Sequence, residues 1–151
     1  MKIETLRFGE IEVDSTAVIS MPEGLIGMES ANQLCLIEES PERPFKWLQV
    51  IGEPALAFIA IDPYDFYPDY ECEISDKDAG VLGIEEAQDA AALVLLTIAP
   101  DGREVTANLV APLVVCAKTQ TAKQVILQND KYTTKHLLSA GMQNSAYTPA
   151  A

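Results

Sequence analysis

A single histidine, His136, limits the reactions this chain can run. Any Ser-His or Cys-His scheme for nucleophilic catalysis must use it. It lies between Lys135 and Leu137-Leu138, with no nucleophile elbow nearby. A structural zinc site needs about four clustered nitrogen or sulfur ligands. The cysteines Cys35, Cys72 and Cys116 are far apart in sequence, and no Cys-x-x-Cys pair occurs. Asp62, Asp65 and Asp69 have a spacing that suggests calcium, but the central glycine and closing glutamate of an EF-hand are missing. Gly24-x-x-Gly27 is not followed by Gly-Lys-Ser/Thr, so it reads as a loop needing a permissive backbone and not as a phosphate cradle. Carboxylates are plentiful enough to keep acid–base chemistry open by residue type, yet no pair is marked out. The residues therefore predict no metal, no cofactor and no catalytic centre.

One stretch stands apart. Between Asp62 and Asp78 lie seven acids (Asp62, Asp65, Asp69, Glu71, Glu73, Asp76 and Asp78) and one base, Lys77. The same stretch carries Tyr64, Phe66, Tyr67 and Tyr70. Aromatic rings anchor protein interfaces and acids set their selectivity, so this stretch is a candidate binding surface. The competing reading is that the rings cap a core while the acids are simply solvated. The whole chain leans the same way: 23 acids against 10 bases give a net charge of -13. Such a surface repels nucleic acid and anionic lipid, and it speeds encounter with a basic partner.

The elements that position these residues read as strands. β-branched and aromatic residues alternate over short runs with turn residues between them. Residues 2–8 and 10–14 form a first pair turned at Phe8-Gly9-Glu10, and 16–21 follows, stopped by Pro22. Residues 33–39 make a strand, and 45–51 with 55–61 make a hairpin around Gly52-Glu53-Pro54. The chain is irregular after Asp62-Pro63 and extended again at 69–74. Ser75-Asp76-Lys77-Asp78 has capping-box form and predicts a short helix over 76–82 that ends at Gly83, with a further helical turn from Glu85. A hairpin over 93–110 turns at Pro100-Asp101-Gly102, and residues 113–117 and 124–127 add two strands. With about ten strands and short connections, the fold class is all-β: an antiparallel barrel-like single domain over 1–143, with one or two short helices and a loose tail at 144–151.

The 151 residues suit one domain, and 48% hydrophobic content supplies its core. No apolar run approaches the roughly 20 residues needed to span a membrane, and the Met-Lys-Ile-Glu-Thr start lacks a secretory pattern. An odd number of scattered cysteines fits free thiols in a reducing cytosol. The expected location is therefore cytoplasmic.

Several segments, in order and at their spacing, resemble the FliW family of flagellar assembly factors over roughly residues 3–138. They are Phe8-Gly9-Glu10-Ile11, Met21-Pro22-Glu23-Gly24-Leu25-Ile26-Gly27-Met28, Phe45-Lys46-Trp47-Leu48-Gln49, and Ala57-Phe58 leading to Asp62-Pro63. Further on come Tyr67-Pro68-Asp69-Tyr70-Glu71, Thr106-Ala107-Asn108-Leu109-Val110-Ala111-Pro112 and Gln124-Val125-Ile126-Leu127. The chain departs from the family pattern at Met21, Ile26, Met28, Val50, Cys116 and the Lys135–Leu138 ending.

The resemblance implies a protein that binds flagellin and the translational regulator CsrA. CsrA is a small RNA-binding dimer that represses flagellin message. Holding CsrA lifts that repression, and accumulating flagellin displaces it. The chain itself would act as a monomer, touching neither nucleic acid nor membrane. On this reading the protein-binding candidates are Asp62, Asp65, Tyr67, Asp69, Tyr70, Glu71 and Glu73, with Trp47, Gln49 and Asn108 from the resembling segments. A groove between Trp47 and the Gly24–Met28 loop is a second candidate, with Trp47 in the core as its alternative. The rival readings are a carbohydrate- or metabolite-binding β-domain, an enzyme using a carboxylate pair, and a structural subunit of a larger assembly.

Overall fold

The computed structural model describes residues 1–98 and 104–137. The turn expected at residues 100–102, the domain end at 143 and the tail at 144–151 lie outside the described residues. The strands are β1 (Lys2–Thr5), β2 (Gly9–Glu12), β3 (Val18–Ser20), β4 (Gln33–Ile37), β5 (Phe45–Val50), β6 (Ala57–Ile61), β7 (Ala90–Ile98), β8 (Val105–Ala107), β9 (Leu113–Cys116), β10 (Thr121–Gln124) and β11 (His136–Leu137). Two short helices, α1 (Pro63–Phe66) and α2 (Asp76–Leu82), lie between β6 and β7.

Seven strands close a barrel in the order β7-β6-β5-β4-β3-β10-β9, because β7 also pairs with β9. Closure is possible because β7 is long. Its first half, Ala90–Leu93, meets β9, and its second half meets β6 on one side and β8 on the other. β11 then adds to β8 outside the ring. A closed ring satisfies its own strand edges. One junction departs from the antiparallel expectation: β10 runs parallel to β3, with Thr121 opposite Ser20. The Gln120 side chain secures this junction by donating to the carbonyl oxygens of Ser15, Thr16 and Val18 at 3.1, 2.7 and 3.1 Å.

The period-two alternation along each strand divides the wall into two apolar faces. Ile19, Leu34, Leu48, Val50, Ala60, Leu93, Leu113 and Ala122 form one cluster, to which every ring strand contributes. That composition marks the cluster as the barrel interior. Met21, Leu25 and Ala31 from the 21–32 loop plug its mouth. Phe45, Trp47, Ile59, Ile61, Val94 and Val114 point to the outer face, where Tyr70 and Leu82 cover them. Each buried Leu or Ile contributes about 1.5–3 kcal/mol, so both faces count in stability. The β1–β2 hairpin closes the outer wall beside Cys35 through Ile3 and Val13.

Local chemistry accounts for the connections. Gly24 has φ +70°, and a Cβ there would run into the Glu29 backbone, so the plug loop requires glycine. Ser75 Oγ accepts from the Asp78 amide at 3.1 Å, and Gly83 at φ +80° ends α2, as the capping pattern predicts. The first turn falls at residues 6–8, before the Gly9 expected at its centre. There the Thr5 hydroxyl accepts from the Phe8 amide and donates to the Gly9 carbonyl.

Three further expectations shift. α1 occupies the stretch read as irregular, because Asp62 caps it and Pro63 fits the first helical position. Residues 70–75 alternate buried and exposed as an extended segment would, but they join no ladder. The strand expected at 124–127 lies earlier, at Thr121–Gln124. Beyond it Val125 and Leu127 donate to the carbonyl oxygens of Pro112 and Val110 at 3.0 and 2.8 Å, and Pro112 has no N–H to return.

Candidate protein-binding surface

The acidic stretch is built outward from Tyr70. Asp62 Oδ1 accepts from the Tyr64 amide at 2.9 Å and starts α1, which turns the chain back across the outer wall. Tyr70 then plugs the wall. Its hydroxyl donates to the Leu109 carbonyl at 2.6 Å, and its ring meets Tyr64 and Tyr132 at centroid distances of 5.7 and 4.8 Å. Burial, with Cys72, Tyr132 and Tyr64 close by, holds the Tyr70 phenol protonated far above its ordinary range. The Tyr132 hydroxyl accepts from the Glu71 amide at 2.7 Å. Asn129 and Lys131 each donate to the Glu71 carboxylate, at 3.2 and 3.3 Å.

The two readings of the acidic stretch therefore divide by residue. Tyr70 and Phe66 belong to the outer core, so they support the surface from beneath. Tyr67 is half-buried. Its hydroxyl donates to the Leu137 carbonyl at 3.3 Å and its ring sits edge-on to His136 at 5.3 Å, with burial raising its pKa. Asp65, Asp69, Glu71 and Glu73 are exposed, and Asp62 is partly covered by its capping role. No ion pair among the described residues reaches Asp65, Asp69 or Glu73. Their charge is therefore not neutralised by any described residue.

The residues from the other segments play different parts. Trp47 is 8% exposed on the outer wall, with the Arg7 guanidinium 4.2 Å above its ring and Phe8 at its edge. Leu25, by contrast, enters the barrel interior. The wall stands between Trp47 and the plug loop, so they form no common groove. Gln49 is fully buried and offers no contact surface. Its amide nitrogen lies 3.1–3.2 Å from four carbonyl oxygens, those of Val50, Glu53, Pro54 and Leu56, and so fixes the β5–β6 turn. Asn108 Oδ1 accepts from the Ala111 amide at 3.2 Å, which shapes the loop that receives Tyr70.

Residues that sequence reasoning passed over complete the surface. Tyr132, Asn129 and Lys131 come from the far end of the chain, and the only local signal is an Asn-Asp turn followed by Lys-Tyr. The three cysteines are free, and burial raises the pKa of Cys35 and of Cys72, which keeps both as thiols. Among the described residues no group of three or more His, Cys, Asp or Glu side chains is placed to hold a metal ion. No helix among them is long and apolar enough to cross a membrane.

Comparison with known proteins agrees with this architecture. The FliW protein family model matches residues 2–138. A flagellar assembly factor FliW from Treponema pallidum (strain Nichols) is 40% identical over 142 residues, covering 94% of each chain. One from Caldanaerobacter subterraneus subsp. tengcongensis is 38% identical over 151 residues, covering 99% of this chain and 100% of its own. A crystal structure of the flagellar assembly factor FliW superposes with a TM-score of 0.83 at 37% identity, covering 92% of this chain and 97% of that one. The barrel, its plug loop and the tyrosine-anchored acidic segment are thus the form taken here by a shared fold, and the chain belongs to the FliW protein family.

Proposed function

We propose that this protein is a cytoplasmic flagellar assembly factor that acts by binding other proteins, holding flagellin and the regulator CsrA in exchange. Family membership supports the assembly role. The observation that carries the binding role is the rigid mounting of acids that form no ion pair among the described residues: Asp65, Asp69 and Glu73 project from a segment locked by the Tyr70–Leu109 and Glu71–Tyr132 hydrogen bonds. An RNA-binding protein must be basic to hold phosphate, so an electronegative platform steers it into contact. Acids held beside bound CsrA also repel the RNA backbone, so the antagonist need not cover the base-reading site. Rigid mounting limits the ordering cost on association.

The test is a titration with purified flagellin and CsrA, each alone and then in competition. The expected result is saturable binding of each and displacement of CsrA by flagellin. Binding of neither, or turnover of a small molecule by the purified chain, overturns the reading.

A further inference from the structure

Beside the exposed acids a cleft of about 470 Å³ runs between two stretches of chain, Glu71 to Asp78 on one side and Val125 to Asn129 on the other. Both sides look like strands that lack a neighbour. Tyr70 to Ser75 alternate inward and outward, and so do Val125 to Gln128. Val125 and Leu127 point their amides to Pro112 and Val110. In an extended chain the amides of Ile126 and Gln128 then point away from Pro112 and Val110, and both residues line the cleft. Among the described residues these two amides have no hydrogen-bond partner, and neither do those of Cys72, Glu73 and Ile74. The cleft is pinned at its ends, by Asn129 on Glu71 at 3.2 Å and by Lys123 on Asp78 at 2.6 Å. Between the pins no hydrogen bond among the described residues crosses it.

We propose that this cleft receives a segment of a partner polypeptide as an added β-strand, one whose side chains alternate between apolar and cationic. This rests on the protein-binding reading above and adds to it the site and the form of what is bound. Unpaired backbone groups on two facing edges are what strand addition uses. The floor is apolar, formed by Ile74, Val125 and Leu127, and Ile126 at the rim is 63% exposed. Every second side chain of an inserted strand would face that floor. The others would face the rim, where Glu73 has no ion pair among the described residues. The span from Val125 to Asn129 is about 13 Å at strand rise, room for roughly four residues. The charge selects a basic strand over a neutral or acidic one.

The probe is a capped peptide, Lys-Val-Arg-Val-Lys-Val, added to the full-length ¹⁵N-labelled protein. Its controls are the same peptide with Glu at each cationic position and an N-methylated form that cannot donate backbone hydrogen bonds. Hydrogen exchange at the Ile126 and Gln128 amides should slow at least tenfold on saturation. Neither control should bind, and Glu73→Arg should weaken the basic peptide at least tenfold while leaving the unfolding midpoint in place. Ile126→Asp, a change at an exposed site, should do the same. Absence of protection, equal binding of the acidic or N-methylated peptide, or full protection of these amides in the free chain overturns the proposal. If the unaltered protein captures flagellin and CsrA but the peptide does not bind, the cleft assignment fails alone. If it captures neither protein, the functional reading fails, and the peptide data still decide the cleft.

Discussion

The hydroxyl of Tyr70 donates to the carbonyl oxygen of Leu109 at 2.6 Å, tying the acidic segment to the outer wall of the barrel. Both residues are buried, so the bond has no water to replace it. Tyr70→Phe keeps the ring contacts and leaves that carbonyl unsatisfied. The expected loss is about 1–3 kcal/mol in urea unfolding. An unchanged unfolding midpoint would show that the segment is held by its rings alone.

Gln49 makes a sharper test of the core. Four carbonyl oxygens surround its amide nitrogen within 3.2 Å. Only a donor can face them, so Gln49→Glu sets a carboxylate against four acceptors in a fully buried place. The expected destabilisation is at least about 3 kcal/mol. A chain that folds with near-normal stability at neutral pH would contradict the placement of this side chain.

The two glycines of the plug loop separate backbone conformation from space. Both have positive φ, but a Cβ at Gly27 meets nothing within 4 Å, whereas one at Gly24 meets the Glu29 backbone. Gly27→Ala should lower stability by about 1 kcal/mol, the strain of the left-handed region alone. Gly24→Ala should lose more, because the loop must also move. Equal losses in thermal unfolding would place the loop differently.

Lys123 holds two segments together, reaching Asp78 of α2 at 2.6 Å and Glu23 of the plug loop at 3.4 Å. The Lys123 hydrogen bond chiefly, aided by Ser75 and opposed by burial, keeps the Asp78 pKa below its ordinary 3.8. A carboxylate lowered in the folded state contributes fully above its unfolded pKa and loses that contribution as pH falls through the folded value. The acid limb of the stability curve, at and below about pH 4, should therefore flatten in Asp78→Asn. Urea midpoints measured from neutral to acid pH read this directly. An acid limb identical to that of the unaltered chain would remove Asp78 from it.

Charge reversal tests the platform. Asp69, Glu71 and Glu73 are exposed, and Glu71 alone among them is partly neutralised, by Lys131 at 3.3 Å. Asp69→Lys and Glu73→Lys should each weaken CsrA binding more at low salt than at high salt. Glu71→Lys should act through two routes, since it also releases Asn129 and Lys131. Affinities that match the unaltered protein at both salt levels would move the binding surface elsewhere.

Much of the architecture was readable from residue order alone. The β5–β6 hairpin, the plug loop around Gly24, the capped helix ending at Gly83 and the acidic run at 62–78 are local matters. Side-chain alternation, a capping hydroxyl and a glycine at positive φ act over a few residues, so a linear reading finds them. The resembling segments added the family.

What stayed hidden depends on contacts between distant positions. Ring closure needs one strand, β7, to meet β9 along half its length, and no pattern within Ala90–Ile98 says so. Gln49 reads as a contact residue until burial makes it a clasp for the β5–β6 turn. Trp47 and the Gly24–Met28 loop read as sides of one groove, but Trp47 packs on the outer face of the wall and Leu25 on the inner one. The cleft joins residues 71–78 to residues 125–129, which are far apart in sequence. Sequence determined which residues carry charge and where most of the strands lie, because those follow from side-chain type and short-range spacing. Tertiary structure alone decided which acids and backbone edges among the described residues go without partners, because burial and pairing are properties of the closed barrel.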